Sequence, residues 1–163
     1  MTFSSFLEWT VKYTVFLKIG TNFFCIYHDN HTRSFVKGFI FSMKKALIID
    51  DEEFLREIIS EVLNLLDIEC YMAEDGNQAI EIAKTNTEDI GLVLLDLNMP
   101  VLSGEDTYHA IKPFLNNCPT IFMSGFSDND LQERIKENTY FIKKPFTIMQ
   151  LHKKVQEVLL AGK

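Results

Sequence analysis

From residue 43 onward, short apolar runs alternate with amphipathic stretches five times over, and that alternation leaves few architectures open. Residues 46–49 (Ala-Leu-Ile-Ile) are an apolar run that ends in acids. Phe54, Leu55, Ile58, Ile59, Val62, Leu65 and Leu66 then recur at helical spacing, behind Glu52 and Glu53, where a helix N-terminus favours negative charge. Residues 68–73 predict a second strand, and 76–84 a helix with Ala79, Ile80 and Ala83 on one face. Residues 90–95 are continuously apolar, as expected of a strand covered on both faces. Residues 104–114 predict a helix stopped around Pro113, 120–123 a strand, and 128–137 a short polar helix. A last strand is expected over 140–142, followed by a helix with Ile148, Leu151, Val155, Val158 and Leu159 at spacings of three and four.

Parallel strands need crossover connections, and right-handed crossovers place helices on both faces of the sheet. The expected fold class is therefore α/β, a doubly wound five-stranded parallel sheet, with ligands beyond the C-terminal strand ends.

The chemistry falls on that edge. The first strand ends in Asp50-Asp51, the third in Asp96, the fourth in Ser124, and the fifth meets Lys143-Lys144-Pro145. Three carboxylates at neighbouring strand ends repel unless a cation sits among them, and hard oxygen ligands with open water positions suit Mg²⁺. An ammonium from Lys144 and a hydroxyl from Ser124 complete a pocket for a phosphoryl group, whose transfer needs mainly positioning and charge neutralisation. An aspartate can itself be the nucleophile and form an acyl phosphate.

Residues 43–163 closely resemble the receiver domain of two-component response regulators, a (βα)5 flavodoxin-like fold. The resemblance rests on Asp50-Asp51, Asp96-Leu97-Asn98-Met99-Pro100, Ser124-Gly125 and Lys144-Pro145-Phe146, each after the expected strand and in order. It implies a phosphoacceptor at Asp96, charged by a phosphohistidine on a histidine kinase or histidine phosphotransfer protein. It implies Mg²⁺ held directly by Asp51 and Asp96, by Asp50 through water and by the Asn98 backbone carbonyl. Ser124 is then expected to hydrogen-bond a phosphoryl oxygen, Lys144 to pair with its charge, and the Lys144–Pro145 bond to be cis. The resemblance implies a switch in place of an enzyme, with at most self-phosphorylation and autodephosphorylation.

In the family the strand-four hydroxyl moves toward the phosphate and an aromatic residue three positions before the lysine fills the vacated space. That position is Phe141 here, with Tyr140 beside it. Phenylalanine has no hydroxyl, so inward and outward states would differ by packing alone. Glu137-Asn138 replaces the small pair usual before the last strand, a pattern closer to hybrid-kinase receivers than to DNA-binding regulators; single-domain chemotaxis regulators are the other comparison. Phe126 stands where the family controls the approach of water, and its bulk suggests shielding.

Plainer roles compete for these residues. Asp50 and Asp51 could cap the following helix, and Ser124 could serve a turn. His109 and His152 sit among polar positions and are read as surface residues. A haloacid-dehalogenase-type hydrolase also uses an aspartate after an apolar strand, but its second acid two residues on is Asn98 here. No G-x-G-x-x-G follows a strand, which removes the dinucleotide-binding reading. A phosphate-independent pseudo-receiver is the remaining alternative.

Residues 1–42 differ in kind. They hold the only Trp and more than half of the 14 Phe, and carry Lys12, Lys18, Arg33 and Lys37 against Glu8 and Asp29, so they are +2 while the rest of the chain is −9. No clear period runs through them, and the apolar stretch 13–27 is short of the ~20 residues a membrane span needs. They are expected to be a start-site artefact or a loosely ordered extension, with the receiver over 43–163. His28 and His31 lack a third ligand and are not read as a metal site. Cys25, Cys70 and Cys118 have no C-x-x-C spacing, as expected of reduced thiols in the cytoplasm. An acidic chain without a basic run excludes nucleic acid as a partner. No output segment follows the last helix, so a stand-alone monomer or weak dimer, not membrane-bound, is expected to act on a downstream protein target that the sequence does not identify.

Overall fold

The computed structural model describes residues 13–19, 22–28, 34–38, 44–125 and 138–161 of the chain. Two units form, Met1–Met43 and Lys44–Lys163. In the first, β1 (Tyr13–Ile19), β2 (Asn22–His28) and β3 (Ser34–Gly38) pair antiparallel in that order. The register runs Tyr13 opposite His28 and Phe24 opposite Gly38. These strands are rich in aromatic and β-branched residue types, which favour extended backbone even where strict alternation is missing.

The second unit runs β4 (Lys45–Ile49), α1 (Glu53–Asn64), β5 (Cys70–Ala73), α2 (Gly76–Thr85), β6 (Ile90–Asp96) and α3 (Gly104–Ile111). A 3-10 turn (Lys112–Phe114), β7 (Thr120–Ser124), β8 (Thr139–Lys143) and α4 (Ile148–Ala161) follow. All five strands are parallel, in the order β5-β4-β6-β7-β8. This is the doubly wound α/β sheet that the alternation predicts. The polar helix expected over 128–137, and Phe126, lie outside the described residues.

Successive strand residues point to opposite faces, so each central strand fills two cores. Leu47, Ile49, Val93, Leu95 and Phe122 are buried with Ala79 and Ala83 of α2 and Tyr108 and Ile111 of α3. Ala46, Ile48, Leu92, Leu94, Ile121 and Met123 are equally buried on the opposite side. There α1 packs on β4, β5 and α4, and α4 packs on β8, burying Ile59, Val62 and Leu63 from one helix and Leu151, Val155 and Val158 from the other. Burial of a side chain of this size contributes roughly 1.5–3 kcal/mol, so the continuous apolar runs supply most of the driving force.

Two local boundaries and the exposure of two apolar residues differ from the sequence expectation. The strand expected from 68 begins at Cys70, because Asp67 takes a left-handed φ of 58° and Ile68 N–H bonds back to the Leu63 carbonyl, closing α1 first. Helix α3 ends at Ile111 and gives way to a 3-10 turn at Pro113, which has no N–H to continue the helix. Phe54 and Leu65 share the apolar periodicity of α1 yet are 73% and 75% exposed; they lie at the helix ends, beyond the reach of the sheet. Among the described residues no helix is long and apolar enough to cross a membrane.

Candidate functional site

Parallel register decides which side chains meet. Ile49 pairs with Leu95 across β4 and β6, so Asp50 and Asp96 emerge side by side at the C-terminal edge. Asp96 pairs with Met123, and Ser124 with Lys143, which brings Ser124 and Lys144 to the next two strand ends. Backbone bonds from Leu97 N–H to the Met123 carbonyl (3.0 Å) and from Lys144 N–H to the Ser124 carbonyl (2.7 Å) carry this alignment past the strands.

One carboxylate oxygen from each of Asp50, Asp51 and Asp96 lies within 4.8 Å of the others. Asp50 is fully buried and Asp96 nearly so, while Asp51 faces solvent. Lys144 Nζ donates to Asp50 Oδ2 and to Asp96 Oδ2, both at 2.8 Å. Asp50 Oδ1 accepts the Glu52 N–H at 3.0 Å, and Asp96 Oδ1 accepts the Asn98 N–H at 3.1 Å. Three carboxylates thus face one ammonium. Burial pushes the Asp50 carboxyl above its ordinary value, against the pull of Lys144 and the Glu52 N–H. Burial pulls Lys144 down, but its hydrogen bonds to Asp50 and Asp96 outweigh that and hold the ammonium above its ordinary range. Both shifts favour the protonated form: burial makes the Asp50 anion costly, and the two carboxylates stabilise the Lys144 ammonium.

Ser124 is buried at the end of β7. Asn98 is exposed, two residues past Asp96 on the loop that its own N–H ties to that carboxylate. The Phe141 ring stacks on Phe122 with centroids 5.3 Å apart, and Phe122 meets Tyr108 edge-on at 5.2 Å. The Lys144–Pro145 peptide is cis. The structure therefore brings Asp50, Asp51, Asp96 and Lys144 into one cluster, with Ser124 and Asn98 at its border and Phe141 one layer below.

Two residues at this edge escaped the sequence reading. Arg56 Nη1 donates to the Asp50 carbonyl at 2.7 Å. Gly104, at the start of α3, lies against the Asp96–Leu97 peptide, where a Cβ would stand 2.6 Å from the Leu97 Cα. Both act on backbone atoms, which leave no pattern of residue types to read.

A donor set of three carboxylates, one of them open to water, fits Mg²⁺, a hard cation that keeps part of its hydration shell. Zinc or copper would call for imidazole or thiolate ligands, and none joins these carboxylates among the described residues.

Residues 46–156 match the family described as the response regulator receiver domain. The chain is 31% identical over 119 residues to sporulation initiation phosphotransferase F of Bacillus subtilis, a match covering 71% of this chain and 94% of that protein. It is 37% identical over 82 residues to LuxN, an autoinducer 1 sensor kinase/phosphatase of Vibrio campbellii; that match covers 50% of this chain but only 9% of the far longer LuxN. Among solved structures, the receiver domain of the hybrid histidine kinase CckA superimposes with a TM-score of 0.62 at 27% identity, over 71% of this chain and 98% of that one. Chemotaxis protein CheY4 of Vibrio cholerae gives a TM-score of 0.64 at 24% identity over 72% and 99% of the two chains, a likeness of fold alone.

Proposed function

We propose, for a chain that belongs to the response regulator receiver family, that Asp96 is its phosphoacceptor and that the acidic edge holds Mg²⁺ while the transfer occurs. The family's receivers act as phosphoacceptor switches in two-component systems. The observation that carries the assignment is the convergence of the Asp50, Asp51 and Asp96 carboxylates with the Lys144 ammonium 2.8 Å from two of them.

In this reading a carboxylate oxygen of Asp96 attacks phosphorus in line with the leaving group. The P–N bond of a donor phosphohistidine breaks as the O–P bond forms, and its electron pair leaves with the imidazole. Asp50, Asp51 and Asp96, with the Asn98 carbonyl, would hold the cation, whose contribution when bound is to offset charge on the phosphoryl oxygens. Lys144, already between two carboxylates, turns its ammonium to the new anion. Ser124 supplies a hydroxyl from the adjoining strand end. Phe141, resting on Phe122, repacks in response, so the two states of the switch differ by apolar contact at that position.

The donor is a histidine kinase or phosphotransfer protein, a reading supported by the kinase and phosphotransferase names among the relatives. A cytoplasmic location accords with the free thiols of Cys70 and Cys118. Beryllofluoride, a mimic of an aspartyl phosphate, tests the assignment. It should bind the wild type with Mg²⁺ and shift the resonances of Ser124 and Phe141, and Asp96→Asn should abolish both effects. Equal binding by the variant would remove Asp96 from the role.

A further inference from the structure

We infer that Arg56 is a positioning residue for the cation site, acting through the backbone of Asp50 and touching neither metal nor phosphate. This rests on the reading of the acidic edge as a Mg²⁺ site.

The start of α1 is built differently from those of the other described helices. Asp75 caps α2 by accepting the Gln78 N–H at 2.8 Å, and Ser103 caps α3 by accepting the Asp106 N–H at 3.1 Å. Thr147 and Gln150 cap α4 reciprocally, at 3.2 and 2.8 Å. Glu52, the N-cap of α1, makes no side-chain cap bond. The turn from β4 into α1 is held instead by two contacts that both end on Asp50. Its Oδ1 accepts the Glu52 N–H, and its carbonyl accepts Arg56 Nη1 at 2.7 Å. Asp51 lies between these anchors and carries the one exposed carboxylate of the cluster.

Asp50 is fully buried, so its carbonyl needs a donor, and a buried acceptor left without one is costly. Arg56 meets that need from the second turn of α1, tying helix to strand end across the residue that must aim at the cation. Charge works the other way, because a guanidinium near a cation site repels the cation. The two effects have opposite signs, and a 2.7 Å charge-assisted bond to the carbonyl of a fully buried residue favours the tether as the larger.

Mg²⁺ alone, titrated calorimetrically into the full chain, decides between them. Arg56→Met removes donor and charge while keeping the apolar stem. Positioning predicts that it weakens Mg²⁺ binding about five- to tenfold, the size of one ordinary hydrogen bond. Arg56→Lys, which keeps a charged donor, should stay within about twofold of the wild type by the same scale. Arg56→Gln, too short to reach the carbonyl, should weaken binding as Arg56→Met does and serves in its place if that variant loses its cooperative melt. Tighter binding by the neutral variants would show that charge dominates and overturn the inference. Unchanged affinity with a lower melting temperature would overturn it too, since a purely structural role predicts that pair. A wild type that takes up no Mg²⁺ would instead fail the underlying reading, and the inference with it.

Discussion

Gly104 packs against the carbonyl of Asp96 so closely that α3 and the end of β6 share one fixed backbone contact, reinforced by the 3.2 Å bond from Gly104 N–H to the Leu97 carbonyl. An alanine there, at the first residue of the helix, would gain less than the roughly 1 kcal/mol of propensity it gains in a helix interior. Its Cβ would also stand 2.6 Å from the Leu97 Cα, against backbone that cannot step aside. The clash exceeds the propensity, so Gly104→Ala should lower stability by ~2 kcal/mol in urea unfolding. An unchanged or raised midpoint would mean that the loop after Asp96 is free to move.

Asp50→Asn should act in the opposite direction. Burial raises the Asp50 carboxyl above its unfolded value, so the native state binds a proton more readily than the unfolded chain does. Stability therefore falls as pH rises from the unfolded value of 3.8 through the raised native one, and the charged form is a cost at neutral pH. Removing the charge should stabilise the fold by on the order of 1 kcal/mol at pH 7, with Asp96 left to pair with Lys144. The gain should vanish below pH 3.8, where the wild type is protonated in both states. Thermal melts across pH 3–8, an interval chosen about the carboxylate range, check the sign. A loss of stability at neutral pH would show that the Lys144–Asp50 pair outweighs its desolvation.

Thr107 carries a buried hydroxyl with no hydrogen-bond partner among the described residues. Valine has nearly the same shape without the polar atom. Thr107→Val should raise stability by ~1 kcal/mol, read from the denaturation midpoint, because it removes a desolvated group that gains nothing in return. Destabilisation would reveal a bond to that oxygen.

Burial pushes the Cys118 thiol up to about 12 and the Cys70 thiol up to about 11. The thiolate is the reactive form, so at pH 8 only about one Cys118 in ten thousand is poised to react. Peptide mass spectrometry after brief iodoacetamide treatment should find Cys118 unmodified in the folded protein and alkylated in urea. Equal labelling in both states would contradict this burial.

The sheet was legible because its three central strands are buried on both faces. The runs at 46–49, 90–95 and 121–123 have no polar interruption that another element could claim, and Asp50, Asp96 and Ser124 follow them directly. Asp50, Asp51, Asp96 and Lys144 could be read together because parallel register turns strand ends into neighbours. What escaped belongs to the backbone. Arg56 on a carbonyl, Gly104 against a peptide and the left-handed turn at Asp67 depend on main-chain atoms that every residue shares. The strands over Tyr13–Ile19, Asn22–His28 and Ser34–Gly38 escaped for another reason: aromatic residues crowd them without alternating, so no face declares itself.

Intact mass after incubation with acetyl phosphate reads the capacity of the acidic edge directly. The wild type should gain a single phosphoryl group, only with Mg²⁺ present, and Asp96→Asn should gain none. A wild type that stays unmodified with the cation supplied, or a variant that gains the same group, would contradict the account.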